Sequence, residues 1–212
     1  MKQAARTAYH HGSLKDALVE ATRDIIEAQG VDQFTMRESA RRAGVSHGAP
    51  AHHFGDKTGL LTQLAVQSFE ERIELAQRYM DEAGSDPMAR LKGCGMAHIE
   101  YGITHPNLHD LCARDGVTDR SDPALQAVMQ RMNDMLIEGM SAATGQTLKP
   151  EKEANPTTLL ALSVVTGFAA LVNERIILKD VPEAERTERA KALAAEMMEL
   201  LEGAFRFRPA GR

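Results

Sequence analysis

The stretch Phe34-Thr35-Met36-Arg37-Glu38-Ser39-Ala40-Arg41-Arg42-Ala43-Gly44-Val45-Ser46-His47-Gly48-Ala49-Pro50-Ala51-His52-His53-Phe54-Gly55-Asp56-Lys57 decides the fold. Thr35 to Glu38 has the spacing of a capping box: the Thr hydroxyl can accept from the backbone N–H of Glu38, and the carboxylate can reach back. A helix from there ends near Ala43, because Gly44 tolerates the left-handed conformation of a stop. Ser46 is a second capping residue, so the spacing predicts a short helix from about His47 to His53. Ala40 and Val45 are small and apolar enough for two short helices to cross at a steep angle. Such a pair is a helix-turn-helix, whose second helix offers its leading end to the major groove of DNA. Many helical bundles contain a capped helix, a Gly turn and another capped helix, so the pattern alone leaves a plain structural reading open.

Outward from this stretch the period is helical everywhere. Upstream, Ser13 to Ala28 reads as a helix capped by Ser13, with a stripe of Leu14, Ala17, Leu18, Ala21, Ile25 and Ala28, and Gly30 as its stop. Downstream, a long helix runs from Gly55 or Asp56 to about Glu82. Asp86-Pro87, Asp122-Pro123 and Asn155-Pro156 repeat one signal, a capping side chain followed by Pro at the first helical position. With the break at His105-Pro106, they predict helices near 87–104, 106–114, 122–143 and 156–179, and a last one near 182–205. The expected fold is all-α, about nine helices: three forming a DNA-binding domain over 1–57, and a C-terminal bundle over 58–212 for ligand sensing and dimerisation.

Composition agrees. Aromatic residues make up 4% of the chain and Trp is absent, so Leu, Ala, Met, Val and Ile must fill the core, which favours helix packing. The net charge of −5 does not advertise nucleic acid. Residues 1–57 carry eight Lys/Arg against seven Asp/Glu, together with His10, His11, His47, His52 and His53, a weak electrostatic signal. Two cysteines make no disulfide framework, and the N-terminus lacks a signal-peptide core, so a reducing cytoplasm is expected. The apolar stretch Leu159–Val172 reads as a buried helix too short for a bilayer, and no membrane partner is expected.

About the first 60 residues resemble the DNA-binding domain of the TetR family of repressors. The resemblance is carried by Ala21, Gly30, Thr35, Ala40, Ala43-Gly44-Val45-Ser46, His53-Phe54, Lys57 and Leu60-Leu61. It implies that Thr35 and Lys57 contact phosphates from two helix starts. Ser46, His47, Gly48 and Ala49 would lie at the groove, with His52 facing it and His53 on a phosphate. Arg37 and Arg41 are secondary phosphate candidates, and Phe54 belongs to the core. The chain departs from the family at Ala51, where Tyr is usual, and Pro50 stands inside the recognition helix. Readout would then rest on few side chains plus DNA shape.

The resemblance also implies a homodimer on a pseudo-palindromic double-stranded operator, with a small-molecule effector bound among the C-terminal helices. Leu159, Gly167, Ala170, Leu193, Met197 and Leu201 are the candidate interface residues, although a monomeric bundle could use them internally. His98, Tyr101, His109, Met129, Met132, Phe168 and Asn173 are the candidate ligand contacts; each Met reads first as core filler. Tyr101–Pro106 and Val165–Leu171 resemble a subgroup with a Trp/His-Gly motif, of which this chain keeps Gly167 alone.

Cys94/His98 and His105/His109, each four apart, with Cys112 beyond, form a possible soft-metal set that straddles the break at Pro106. Neither a metal nor any cofactor is expected. For Cys112 the nearby cation in sequence is Arg114. No Gly-rich phosphate loop, nucleophile elbow or strand framework supports an enzyme, and Glu70, Glu71, Glu196 and Glu199 read as helix-surface charges. A helical protein-interaction module with weakened DNA affinity is the competing reading, supported by Pro50, Ala51 and the small basic excess.

Overall fold

The computed structural model describes residues 11–148 and 155–206, apart from the side chains of 11–13 and 206; His10 lies outside them. Among the described residues there are nine α-helices, one 3-10 turn and no strand. The helices are α1 (His11–Gln29), α2 (Met36–Arg42), α3 (Ala49–Phe54), α4 (Lys57–Glu82), α5 (Pro87–Thr104), α6 (Pro106–Ala113), α7 (Pro123–Thr144), α8 (Pro156–Asn173) and α9 (Glu183–Arg206). The expected all-α architecture is the one observed.

Helix starts follow the side chains that satisfy them. Asp56, Asp86, Asp122 and Asn155 each accept backbone N–H groups at the head of α4, α5, α7 and α8. Thr35 caps α2 by accepting from Glu38 N at 3.2 Å. The reciprocal half of the capping box is not made, since the Glu38 carboxylate holds Arg41 at 2.6 and 2.8 Å instead.

Four local expectations are corrected. α1 begins at His11, ahead of Ser13, so Ser13 is not its cap. Its inner face is Leu18, Val19, Ala21, Thr22, Ile25 and Ile26, whereas Ala28 is exposed. α3 begins at Ala49 rather than His47: Pro50 fixes the first turn there, and Ala49 N donates to Ser46 O without a side-chain cap. α8 ends at Asn173, not 179. Arg175 and Leu178 take left-handed φ values of 56° and 55°, and residues 174–182 form an irregular link.

The core has three parts. The first joins Val19, Ile25, Ile26 and Phe34 to Leu60, Leu61 and Leu64 of α4, then to Leu108, Leu111 and Leu125 of α6 and α7. It runs unbroken from α1 across the 57/58 boundary, so α4 belongs to both parts of the molecule. The second lies between α5, α8 and α9 (Ile99, Val165, Phe168, Ala190, Ala194, Met198). The third holds Met88, Leu91, Met140, Leu148 and Ala161. α4 and α5 pack closely: a Cβ added to Gly93 would stand 2.9 Å from the Tyr79 carbonyl oxygen.

Candidate functional site

Two regions could carry function: the outer face of α2–α3 with the head of α4, and a cavity inside the bundle. In the first, Gly44 at φ +70° closes α2, its N–H donating to Arg41 O and that of Val45 to Ala40 O. This pair of bonds is a Schellman stop, and it turns the chain sharply into α3. Buried Ala40 sits at the crossing and Val45 is half-buried beside it. Thr22 and Ser39, both fully buried, share a 2.8 Å hydrogen bond that holds α2 on α1.

The turn leaves one face in solvent. Thr35, Arg37, Ser46, His47, Gly48, Ala51, His52 and Lys57 are exposed; Ala49, His53 and Phe54 are half-buried. Pro50 is buried, so its ring packs inward and the exposed face of α3 keeps small side chains and His52. The Lys57 ammonium lies 5.6 Å from the centre of the Phe34 ring, which sets the starts of α2 and α4 side by side. Thr35 and Lys57, both expected to meet phosphate, therefore share an edge. Arg41 is held by Glu38, whose carboxyl stays below its ordinary range through that hydrogen bond. Arg37 is exposed and makes no ion pair among the described residues.

The cavity, about 250 Å³, is enclosed by α4, α5, α7, α8 and α9. His98, Met129 and Met132 line it. The other candidates do not. Tyr101 is buried in the first core and its hydroxyl donates to Glu71 at 3.3 Å. Phe168 belongs to the second core. Asn173 donates to Gly102 O at 2.8 Å, a tie between α8 and α5. His109 stands behind His98, ring edge to ring face at 5.2 Å.

Sequence reading missed Arg72. It lines the cavity from α4, is 9% exposed, and its guanidinium lies over the rings of Phe69 (5.2 Å) and Tyr101 (5.7 Å). Arg72 Nη2 is 3.2 Å from His98 Nδ1. Arginine only donates, so Nδ1 is the acceptor; the ring proton is then on Nε2, which donates to Thr166 Oγ1 at 3.1 Å. Burial, reinforced by the Arg72 charge and by His109, holds His98 down at about 3. Burial and the same charge hold His109 at about 4. Both imidazoles are neutral at physiological pH.

The cysteine and histidine set does not converge. His105 bonds to Glu27 at 2.7 Å, and among the described residues no group of three or more metal-ligating side chains comes together. Burial raises the Cys94 and Cys112 thiols, Cys112 to about 11. The cations beside Cys112 are Arg72 and Arg120; Arg114 pairs with Asp32 and Asp110 instead.

Residues 18–64 match the family described as bacterial regulatory proteins, tetR family. The HTH-type transcriptional regulator BetI of Burkholderia thailandensis is 31% identical over 157 residues, 74% of this chain and 76% of that relative. The chain belongs to the TetR family of transcriptional regulators. The BetI of Stenotrophomonas maltophilia is 38% identical over 78 residues, 37% of this chain and 40% of that relative. In fold, the regulator is similar to PfmR, a TetR family transcriptional regulator of Thermus thermophilus. The TM-score is 0.63 at 16% identity, over 93% of this chain and 98% of that one.

One further surface of the regulator bears on assembly. The apolar helix spans Pro156–Asn173, and by length and composition alone would suit a membrane. Its inner face, Ala161, Val165, Phe168, Ala169 and Val172, fills core. Its outer face exposes Leu159, Leu160, Leu162 and Leu171, with Gly167 and Ala170 between them. On α9, Leu193, Met197 and Leu201 pack against the second core of their own chain, while Leu200 is 78% exposed.

Proposed function

We propose that this DNA-binding regulator is a ligand-responsive repressor that binds a pseudo-palindromic operator as a homodimer and is released by a small-molecule effector. The observation that carries the reading is the solvent-facing edge of Thr35, Ser46–Gly48, His52 and Lys57, built on a Schellman turn and a buried Pro50. Thr35 and Lys57, with Arg37, anchor phosphates. Ser46, His47, Gly48, Ala49 and His52 enter the groove, and half-buried His53 meets the backbone. Residues 1–57 act as the reader and 58–212 as the sensor, with α4 shared between them.

The dimer forms through the outer face of α8. Exposed leucines around Gly167 and Ala170 make a patch that a monomer would leave wet, and an isologous contact covers it twice. α9 joins with Leu200 and the edge of Leu193, whereas Met197 and Leu201 serve mainly to seat α9 on its own subunit. The effector occupies the cavity, touching His98, Met129 and Met132, and shifts the equilibrium between readers spaced for DNA and readers spaced otherwise. Tyr101, His109, Phe168 and Asn173 act one layer out, fixing the helices that wall it. The regulator works in the cytoplasm, with no catalytic role.

Selection of bound duplexes from a random pool tests the reading. The expected result is a two-fold symmetric consensus with half-sites about one helical turn apart. Recovery of no consensus, with affinity equal to that for random duplex, counts against it.

A further inference from the structure

The cavity is lined mostly by apolar side chains, and at Arg72 its charge is unbalanced. Arg72 is nine-tenths buried on α4, and its Nε has no hydrogen-bond partner. Nη2 spends one N–H on a neutral imidazole. No ion pair reaches this guanidinium among the described residues. The other cation on the wall, Lys92, is already held by Glu199 at 2.8 Å and Glu202 at 2.6 Å. The rest of the lining includes Met88, Leu91, Met129, Met132, Leu136 and Val165. A buried cation without a counter-ion is costly, and a carboxylate that accepts from its planar fork removes most of that cost.

We propose that the ligand of this cavity is an amphipathic organic anion, an apolar body with a single carboxylate bound by Arg72. The proposal rests on the reading of the cavity as the effector site and names the chemical class that site takes. A cation would meet Arg72 at like charge, and a neutral alcohol would leave the guanidinium without a counter-ion. A dianion such as a phosphate ester would bring a second charge that the apolar wall does not match. An apolar cavity of roughly 150 Å³ takes benzene, so about 250 Å³ suits a body on the order of ten heavy atoms. A carboxylate on Arg72 binds beside the Arg72–His98 bond, and His98 in turn holds Thr166 on the outer side of α8. The ligand thus acts at once on α4 and on the face proposed to dimerise.

The test uses the full-length protein with decanoate, decan-1-ol and decyltrimethylammonium, each below its micellar concentration, by calorimetry and thermal shift. Decanoate is expected to bind at least about 10-fold more tightly than decan-1-ol, with no saturable binding of the cation. Arg72→Met should bind both uncharged and anionic probes equally. Arg72→Lys, which keeps the charge and loses the fork, should fall between; it serves if Arg72→Met does not fold. Equal binding of decanoate and decan-1-ol by the wild type, tighter binding of the cation, or no binding of any probe overturns the proposal. So does decanoate affinity unchanged in Arg72→Lys or in a folded Arg72→Met. DNA binding is measured separately without probes. Its failure would sink the operator reading while the probe ratios still decide the ligand class.

Discussion

Gly59 lies directly beneath the carbonyl of Phe54: a Cβ at Gly59 would stand 2.1 Å from that oxygen. The last residue of α3 and the first turn of α4 thus touch backbone to backbone. No movable side-chain tip can give way. Gly59→Ala is expected to force α3 away from α4 and to cost about 2 kcal/mol or more. Thermal unfolding reads the loss, and duplex binding should weaken beyond it. A fully stable, fully binding variant would mean that α3 is seated differently.

Lys57 and Arg37 are proposed to hold phosphates rather than bases. Lys57→Glu and Arg37→Glu should therefore weaken binding by a similar factor on every duplex. Each should lower the slope of log affinity against log salt by about 1. His52→Ala, by contrast, should relax the preferred sequence with a smaller change in salt slope. Anisotropy titrations at several salt concentrations separate the two outcomes. If neither charge reversal alters DNA affinity, the interaction-module alternative gains at the expense of the repressor.

Gly167 has open space around it: a Cβ added there would meet nothing within 4 Å. Within one subunit Gly167→Ala should be harmless or stabilising by about 0.5–1 kcal/mol, because Gly is a poor helix former. Gly167→Arg should leave the unfolding of the subunit nearly unchanged yet yield a monomer by light scattering. Persistence of a dimer in Gly167→Arg would move the interface elsewhere.

Acid stability is a separate signature of the buried imidazoles. His98 at about 3 and His109 at about 4 bind protons less readily in the folded chain than at their ordinary 6.5. Their contribution is complete above pH 6.5 and is lost as pH falls toward the folded values, because the unfolded chain takes up protons first. Each adds up to about 1.4 kcal/mol per pH unit to that decline. Between about pH 6.5 and 5.5 most carboxylates remain ionised, so the window isolates histidine. Urea unfolding should show a shallower decline for His98→Gln than for the wild type. Identical slopes would mean that His98 is hydrated in the folded state.

What the sequence made legible was its punctuation. Asp86, Asp122 and Asn155 each precede a Pro, and each caps a helix where that pair predicts one. Thr35 and Gly44 likewise frame α2. Local chemistry decides these points, so local reading finds them. Arg72 was invisible for the opposite reason: on a helix rich in charge, an Arg reads as surface. Its burial is created by α5 and α7 crossing over it, elements distant from it along the chain. The end of α8 was misplaced because Asn173 spends its amide on Gly102 of another helix. Leu193, Met197 and Leu201 share one helical face with the second core, and periodicity cannot tell an intrasubunit neighbour from a partner.

The close approach of Gly93 to Tyr79 fixes the far end of α4 against α5, and a swing of the helix would turn about that point. Lys57 lies 22 residues away along the same helix, a lever arm of about 33 Å at 1.5 Å per residue. Rotation of about 5° about that pivot sweeps the leading tip through about 3 Å. Arg72 sits nearer that point than the tip, so a displacement of a fraction of an ångström there would be magnified severalfold at the proposed phosphate contact. Two such arms, swinging about a common two-fold axis, would fall out of step with the pitch of the double helix.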